Sequence, residues 1–255
     1  MPFTISHAAA VLPLRKLNNS RLPLAALMIG SMSPDFAFFV PGDTDRVDTH
    51  SIPGVFWFCW PISIALWLLF VRVLEQPTTA LLPENWRTRF APSDRDINLR
   101  TLALASAAVI LGAMTHLIWD SFTHRGTAMT DSIPILRSVA FHYEGWRVRW
   151  FVVLQHLSSI FGMLVLMAWA WRLPPGRYPR PSSPELSNST RIGAAAVVVT
   201  ASAGLAIAGF LLNSETWFVR RLFHFAIGGM AGGALAWIAI ALIFNWRTRQ
   251  SVVNN

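Results

Sequence analysis

The amino-acid sequence predicts an all-α integral membrane protein, with five transmembrane helices behind an N-terminal membrane-embedded helical hairpin. Three observations lead there. Only 13% of the 255 residues are charged while 53% are hydrophobic, against about 25% charged in an ordinary soluble chain. Large apolar side chains are plentiful, with 12 Trp and 17 Phe, and the mean hydropathy is +0.44. Five apolar stretches also reach the roughly 20 residues that a helix needs to cross a hydrocarbon core of about 30 Å.

The first stretch runs from Ser51 to Val71, between His50 and Arg72. The second is Thr101 to Trp119, between Arg100 and Asp120. Trp150 to Trp171 is the third, free of charge apart from His156. The fourth fills the gap between Arg191 and Glu215, and the fifth the gap between Arg221 and Arg247. Ahead of them, Ile5 to Leu17 and Leu22 to Met32 are apolar but too short to span at 1.5 Å per residue. They are expected to form a hairpin that dips into the bilayer; the alternative is a sixth span over Leu22 to Val40, broken at Pro34. Irregular backbone at membrane depth needs cover from protein or a wet cavity. The N-terminal stretch is interrupted by Pro13, Arg15 and Lys16, unlike a cleavable signal peptide. Two connectors remain: Glu75 to Asn98, and a Pro/Ser-rich linker over 173–190 that separates a front bundle (1–172) from a rear helix pair (191–255).

The net charge of +8 does not point to nucleic acid, because the basic residues form no run and flank apolar spans. Five crossings fix which loops share a side. Face A carries Asp43 to His50, Ser121 to Arg149, and Glu215 to Arg221; face B carries both connectors and the C-terminus. Face A then holds seven Lys/Arg (Arg46, Arg125, Arg137, Arg147, Arg149, Arg220, Arg221), leaving 14 of the 21 for face B. The positive-inside rule makes B cytoplasmic, together with the C-terminus, and A extracytoplasmic. Cys59 is the only cysteine, which excludes an internal disulfide and a thiolate metal cluster. Asp43, Asp45 and Asp48 read as a solvated loop, and Gly228 to Gly233 as close packing of helices by small residues.

All seven histidines fall on or near face A. His116, Asp120 and His124 are spaced i, i+4, i+8 and so stack on one helical face. Histidine with carboxylate is a ligand set for Zn²⁺ and related ions, and ionisable groups at membrane depth are expensive enough to imply function. In the hairpin reading His7 and Asp35 come to the same face, joined by His50 and by His156 of the third span. His142 and His224 are read as interfacial hydrogen-bonding residues.

The segments Met1-Pro2-Phe3-Thr4-Ile5-Ser6-His7, Gly30-Ser31-Met32-Ser33-Pro34-Asp35, His50-Ser51 and His116-Leu117-Ile118-Trp119-Asp120-Ser121-Phe122-Thr123-His124 resemble an uncharacterised family of bacterial inner-membrane proteins. That family is related to predicted membrane-bound metal-dependent hydrolases. The order of ligand types also resembles the zinc-dependent phospholipase C and P1 nuclease superfamily. The resemblance implies one zinc held by Asp35, His50, His116 and Asp120, and a second held by His7 with Asp120 bridging. His124 or His142 stands for a later histidine ligand, while His156 is followed at i+4 by Ile160 rather than by the glutamate of the superfamily pattern.

The function expected on this basis is metal-dependent hydrolysis of a phosphoester, plausibly a membrane lipid, at the extracytoplasmic face of the bacterial inner membrane. One or two Zn²⁺ would activate water, with Asp35 and Asp120 as catalytic carboxylates. Arg125, Arg147 and Arg149 would clamp a phosphate. A lipid amide hydrolase of ceramidase type is a second expectation, although the His-x-x-x-His pair of those enzymes is missing. A transporter using the same ligands as an ion path is a third.

Overall fold

The structure is a computed structural model that describes residues 4–17, 22–39, 46–90, 92–93, 95–143, 145–176, 186–212 and 218–253. Arg21, Asp43, Asp45, Arg177, Arg180 and Trp217, assigned to loops above, lie outside these residues. Among the described residues, five helices are long and apolar enough to cross a membrane, at the five places the sequence predicts. Contacts divide the chain into two compact units, Met1–Trp67 with Asp96–Leu173 and Leu68–Arg95 with Pro174–Asn255. Residues 68–95, left with the front bundle by the sequence reading, pack with the rear pair.

Unit 1 opens with the hairpin. Arm 1 is a 3-10 helix, Thr4–Val11, that relaxes into an α-helix over Leu12–Leu17; arm 2 is an α-helix, Leu24–Met32, that tightens into a 3-10 helix over Ser33–Phe39. The tightening has a local cause. Pro34 brings no N–H, and both the backbone and the hydroxyl of Ser33 turn back onto the carbonyl of Gly30, the hydroxyl at 2.7 Å.

Span 2 (Leu99–Thr123) starts at Asn98, whose side chain accepts from Thr101 N at 3.0 Å. Glycine lets the hairpin approach it to backbone contact. A Cβ on Gly30 would overlap the Val109 backbone, and one on Gly112 would overlap the backbones of Leu27 and Ser31. Gly162 of span 3 (Trp150–Arg172) meets Ser6 of arm 1 in the same way. The hairpin is therefore held by spans on both sides.

Between spans 2 and 3, where a loop is expected, two antiparallel strands form: β1 (Val139–Tyr143) and β2 (Trp146–Arg149). The signal was in the sequence. Alternating apolar and polar residues flank Gly145, whose φ of 81° suits the reversal.

Span 1 runs over Ile52–Leu81, ten residues beyond the expected end at Val71. Ser51 caps it, accepting from Gly54 N at 3.0 Å, and it contains two π turns, Val55–Cys59 and Phe70–Leu74. From Leu68 onward it belongs to unit 2. Pro77, in a stretch expected to be a connector, lies inside the helix. Pro77 lacks the N–H that would bond Val73 O, and the Asn245 side-chain amide supplies that donor at 2.9 Å. Trp237 Nε1 donates to Thr78 Oγ1 at 3.1 Å in the same unit. Arg87 closes the helix end by donating to Ala80 O at 2.7 Å and Leu82 O at 2.9 Å.

Spans 4 (Asn188–Leu212) and 5 (Phe218–Val253) complete unit 2. They pair through glycine as the sequence predicts: Gly228 lies on the Leu205 backbone and Gly232 on that of Ala201, while Gly209 receives the His224 backbone.

Candidate metal centre

Four elements of unit 1 bring their ionisable side chains to one point. Arm 1 contributes His7, and the 3-10 turn of arm 2 contributes Asp35. His50 follows the short helix Arg46–Thr49, and span 2 contributes His116 and Asp120 from one face, a turn apart. His7, Asp35, His116 and Asp120 are all buried, at 3%, 1%, 0% and 4% exposure. The side chains of His50 and His124 are each 13% exposed and form the open side.

Distances define what the cluster can do. His50 Nε2 lies 3.4 Å from Asp35 Oδ1 and 3.6 Å from Asp120 Oδ2. His116 Nε2 lies 3.4 Å from Asp120 Oδ2 and 3.9 Å from Asp35 Oδ1. These are longer than N–H···O hydrogen bonds, which run to about 3.2 Å. Four donors around one ion, with metal–ligand lengths of about 2.0–2.1 Å, sit roughly 3.3 Å apart in a tetrahedron. Three of the observed separations, 3.4–3.6 Å, are close to the second figure, and the fourth, 3.9 Å, is wider.

The imidazoles are aimed as ligands are. His116 Nδ1 donates to Ser31 O at 2.7 Å, which fixes the tautomer and points the Nε2 lone pair inward. Thr49 Oγ1 donates to Pro34 O at 3.1 Å and lies 3.2 Å from His50 Nδ1, while His50 Nε2 faces the carboxylates. Among the described residues, His116 Nε2 and both ring nitrogens of His7 are buried without a hydrogen-bond partner. Orphaned buried polar atoms are rare enough to require an explanation. Burial, with His116 stacked on it at 3.8 Å, pushes the His7 imidazole down to about 3; the ring is neutral and keeps a lone pair. Its Nε2 lies 3.6 Å from Asp120 Oδ1, the carboxylate oxygen turned away from His50 and His116.

Several supporting groups carry no signal in the sequence. Thr4 Oγ1 donates to Asp35 Oδ2 at 2.8 Å, and in a 3-10 helix Thr4 and His7 (i, i+3) share a face. Gln155 of span 3 is buried and places Nε2 3.3 Å from His124 Nε2. Cys59, read as a packing residue, is buried and donates to Thr49 O at 3.6 Å.

The expected residues divide accordingly. His7, Asp35, His50, His116 and Asp120 converge, and His124 joins at the rim, its Nδ1 3.3 Å from Asp120 Oδ2. His156 does not converge. One residue is about 100° of helix, and it is Gln155 that turns inward while His156 is exposed. Arg125, Arg147 and Arg149 are exposed, and Arg149 is engaged with Arg137 O at 2.6 Å. None of the three has a described contact with the cluster.

The chain belongs to the family described as a domain of unknown function (DUF4184), whose model matches residues 1–245. No curated protein and no solved structure matches it.

Proposed function

For this member of the DUF4184 family we propose a membrane-embedded hydrolase that uses one or two divalent metal ions, zinc by choice of ligands, on a phosphoester drawn from membrane lipid. One observation carries the reading: His7, Asp35 and His116, and likewise His50, His116 and Asp120, each bring three potential ligand atoms within 4.8 Å of one another. Two ionised carboxylates in such a site need a compensating cation. Nitrogen and oxygen donors in tetrahedral array suit zinc among common biological ions. His7 with Asp120 Oδ1 is the start of a second position, with Asp120 bridging.

When bound, such an ion lowers the pKa of a coordinated water and polarises a phosphoryl oxygen. The residues do the rest. Thr4 holds one oxygen of Asp35 and turns the other toward His50 and His116, which makes Asp35 a ligand rather than a free base. Ser31 O holds the His116 ring in the ligating tautomer, and Thr49 holds the His50 ring at its Nδ1 side. The partly exposed flank at His50 and His124 is the way in for substrate. The positive-inside rule puts this flank on the extracytoplasmic side of a bacterial inner membrane, with the C-terminus cytoplasmic.

Transport of the ion itself is the rival that the deep burial of the cluster favours. The full-length protein, purified in neutral detergent, separates the readings. Wild type is expected to hold at least one zinc per chain and to cleave a phosphodiester or phospholipid. His116→Ala and Asp120→Ala are expected to lose both, and His156→Ala to keep both. Absence of stoichiometric metal from wild type would sink the metal centre. Metal without cleavage of any phosphoester would move the site to transport.

A further inference from the structure

A second polar site lies in unit 2, independent of the metal centre. A cavity of about 330 Å³ is lined by Arg72, Gln76, Arg95, Asn245, Trp246 and Arg249, among others. We infer that it binds a phosphate-bearing anion, and that its occupant is the headgroup of an anionic phospholipid.

The lining is selective for negative charge. Three arginines, whose guanidiniums each carry five donors and no acceptor, line one cavity. Among the described residues none of the three has a carboxylate partner within ion-pair distance. Three like charges around one cavity repel in the absence of a counter-ion. The positive-inside rule accounts for arginines near this membrane face, but not for three of them around a single cavity.

The site is also built. Arg72 sits in the π turn Phe70–Leu74, a widened turn of the kind frequent at functional sites. The carbonyl left without its donor by Pro77, Val73 O, is taken by Asn245, which fixes one wall against the other. The volume is at the low end for ligand pockets and fits a headgroup rather than a whole lipid.

A neighbouring cavity distinguishes the source of the phosphate. Thr248 also borders a cavity of about 300 Å³ lined largely by Leu81, Leu186, Ile240, Ile243 and Phe244. A basic pocket next to an apolar one, at the end of a membrane-crossing helix, matches an amphiphile better than free phosphate. Basic pockets between transmembrane helices are a recurring mode of headgroup recognition.

The test uses the full chain in nanodiscs of phosphatidylcholine with graded phosphatidylglycerol, with retained lipid counted by native mass spectrometry. Wild type is expected to retain phosphatidylglycerol selectively. Arg72→Gln/Arg249→Gln, and Arg249→Gln alone in case the double variant misfolds, are expected to weaken retention about tenfold, as loss of charge-assisted hydrogen bonds implies. Arg100→Gln, an exposed arginine outside the cavity, is expected to leave it unchanged. In pure phosphatidylcholine, protection from thermal unfolding by millimolar inorganic phosphate, lost in the same variants, would support the anion site but assign it to free phosphate. Equal retention of both lipids with no effect of phosphate would overturn the proposal, as would an equal loss in Arg100→Gln.

Discussion

In unit 1, Gly30 and Gly112 bring arm 2 and span 2 to backbone contact; in unit 2, Gly209, Gly228 and Gly232 do the same for spans 4 and 5. The device is shared, but what surrounds it is not. Spans 4 and 5 are long regular helices, and the basic cavity of unit 2 lies near the chain ends of spans 1 and 5. Unit 1 breaks regular helix repeatedly, with two 3-10 segments, a hairpin and a π turn, and it buries two histidines and two aspartates. A straight helix presents a ligand only every three or four residues along one face. Converging five ligands from four segments therefore takes short, kinked pieces, and glycine contact clamps those pieces together. Close packing in unit 1 clamps the segments that carry the His/Asp cluster; in unit 2 it pairs two spans.

The sharpest way to break this comparison is to add the same volume to both. Gly112→Val forces arm 2 away from span 2, and Gly228→Val forces span 5 from span 4, each at about 1–3 kcal/mol or more of stability. Both are expected to lower the thermal unfolding midpoint in detergent, but only Gly112→Val is expected to lose bound metal as well. If Gly112→Val keeps full metal content, the clamp is not what positions the ligands.

A smaller effect is expected from Thr4→Val, which keeps the shape and removes the hydrogen bond to Asp35. Metal affinity, measured by competition with a chelator, is expected to fall about 10–100-fold. An unchanged affinity would mean that Asp35 is oriented without Thr4.

The smallest is Asn245→Leu, which leaves Val73 O without its donor and costs about 1–3 kcal/mol in unit 2. Metal content is expected to stay at the wild-type value. Loss of metal in this variant would show that the two units are coupled, which the comparison does not expect.

Much of unit 1 was legible in the sequence, and the gaps have physical reasons. His116 and Asp120 were readable because i, i+4 spacing on a helix is itself a geometric statement. His7, Asp35 and His50 required the hairpin fold and a resemblance, since nothing local says that residues this far apart in the chain meet. Gln155 rather than His156 turns inward because helix phase decides which side chain faces the cluster, and residue type does not report it. Thr4, and the carbonyl oxygen of Ser31, were invisible: a threonine in an apolar segment and a backbone oxygen have no pattern of their own. The connector expected from Glu75 onward begins as helix instead, and Asn245, far along the chain, supplies the donor that Pro77 cannot.

The sequence by itself determined the solvent, because burying so many apolar residues with so few charges is favourable only in lipid, and it thereby determined the places of five spans, but not the end of the first. It also determined a His/Asp set, by residue type and by one helical spacing. The tertiary structure alone decided which of those residues meet, which oxygen and which ring nitrogen each presents, and that three arginines share one cavity. The reason is range. Hydropathy and periodicity act over a helical turn or a membrane thickness, whereas a site is made of contacts between segments, set by packing within tenths of an ångström that no single segment encodes.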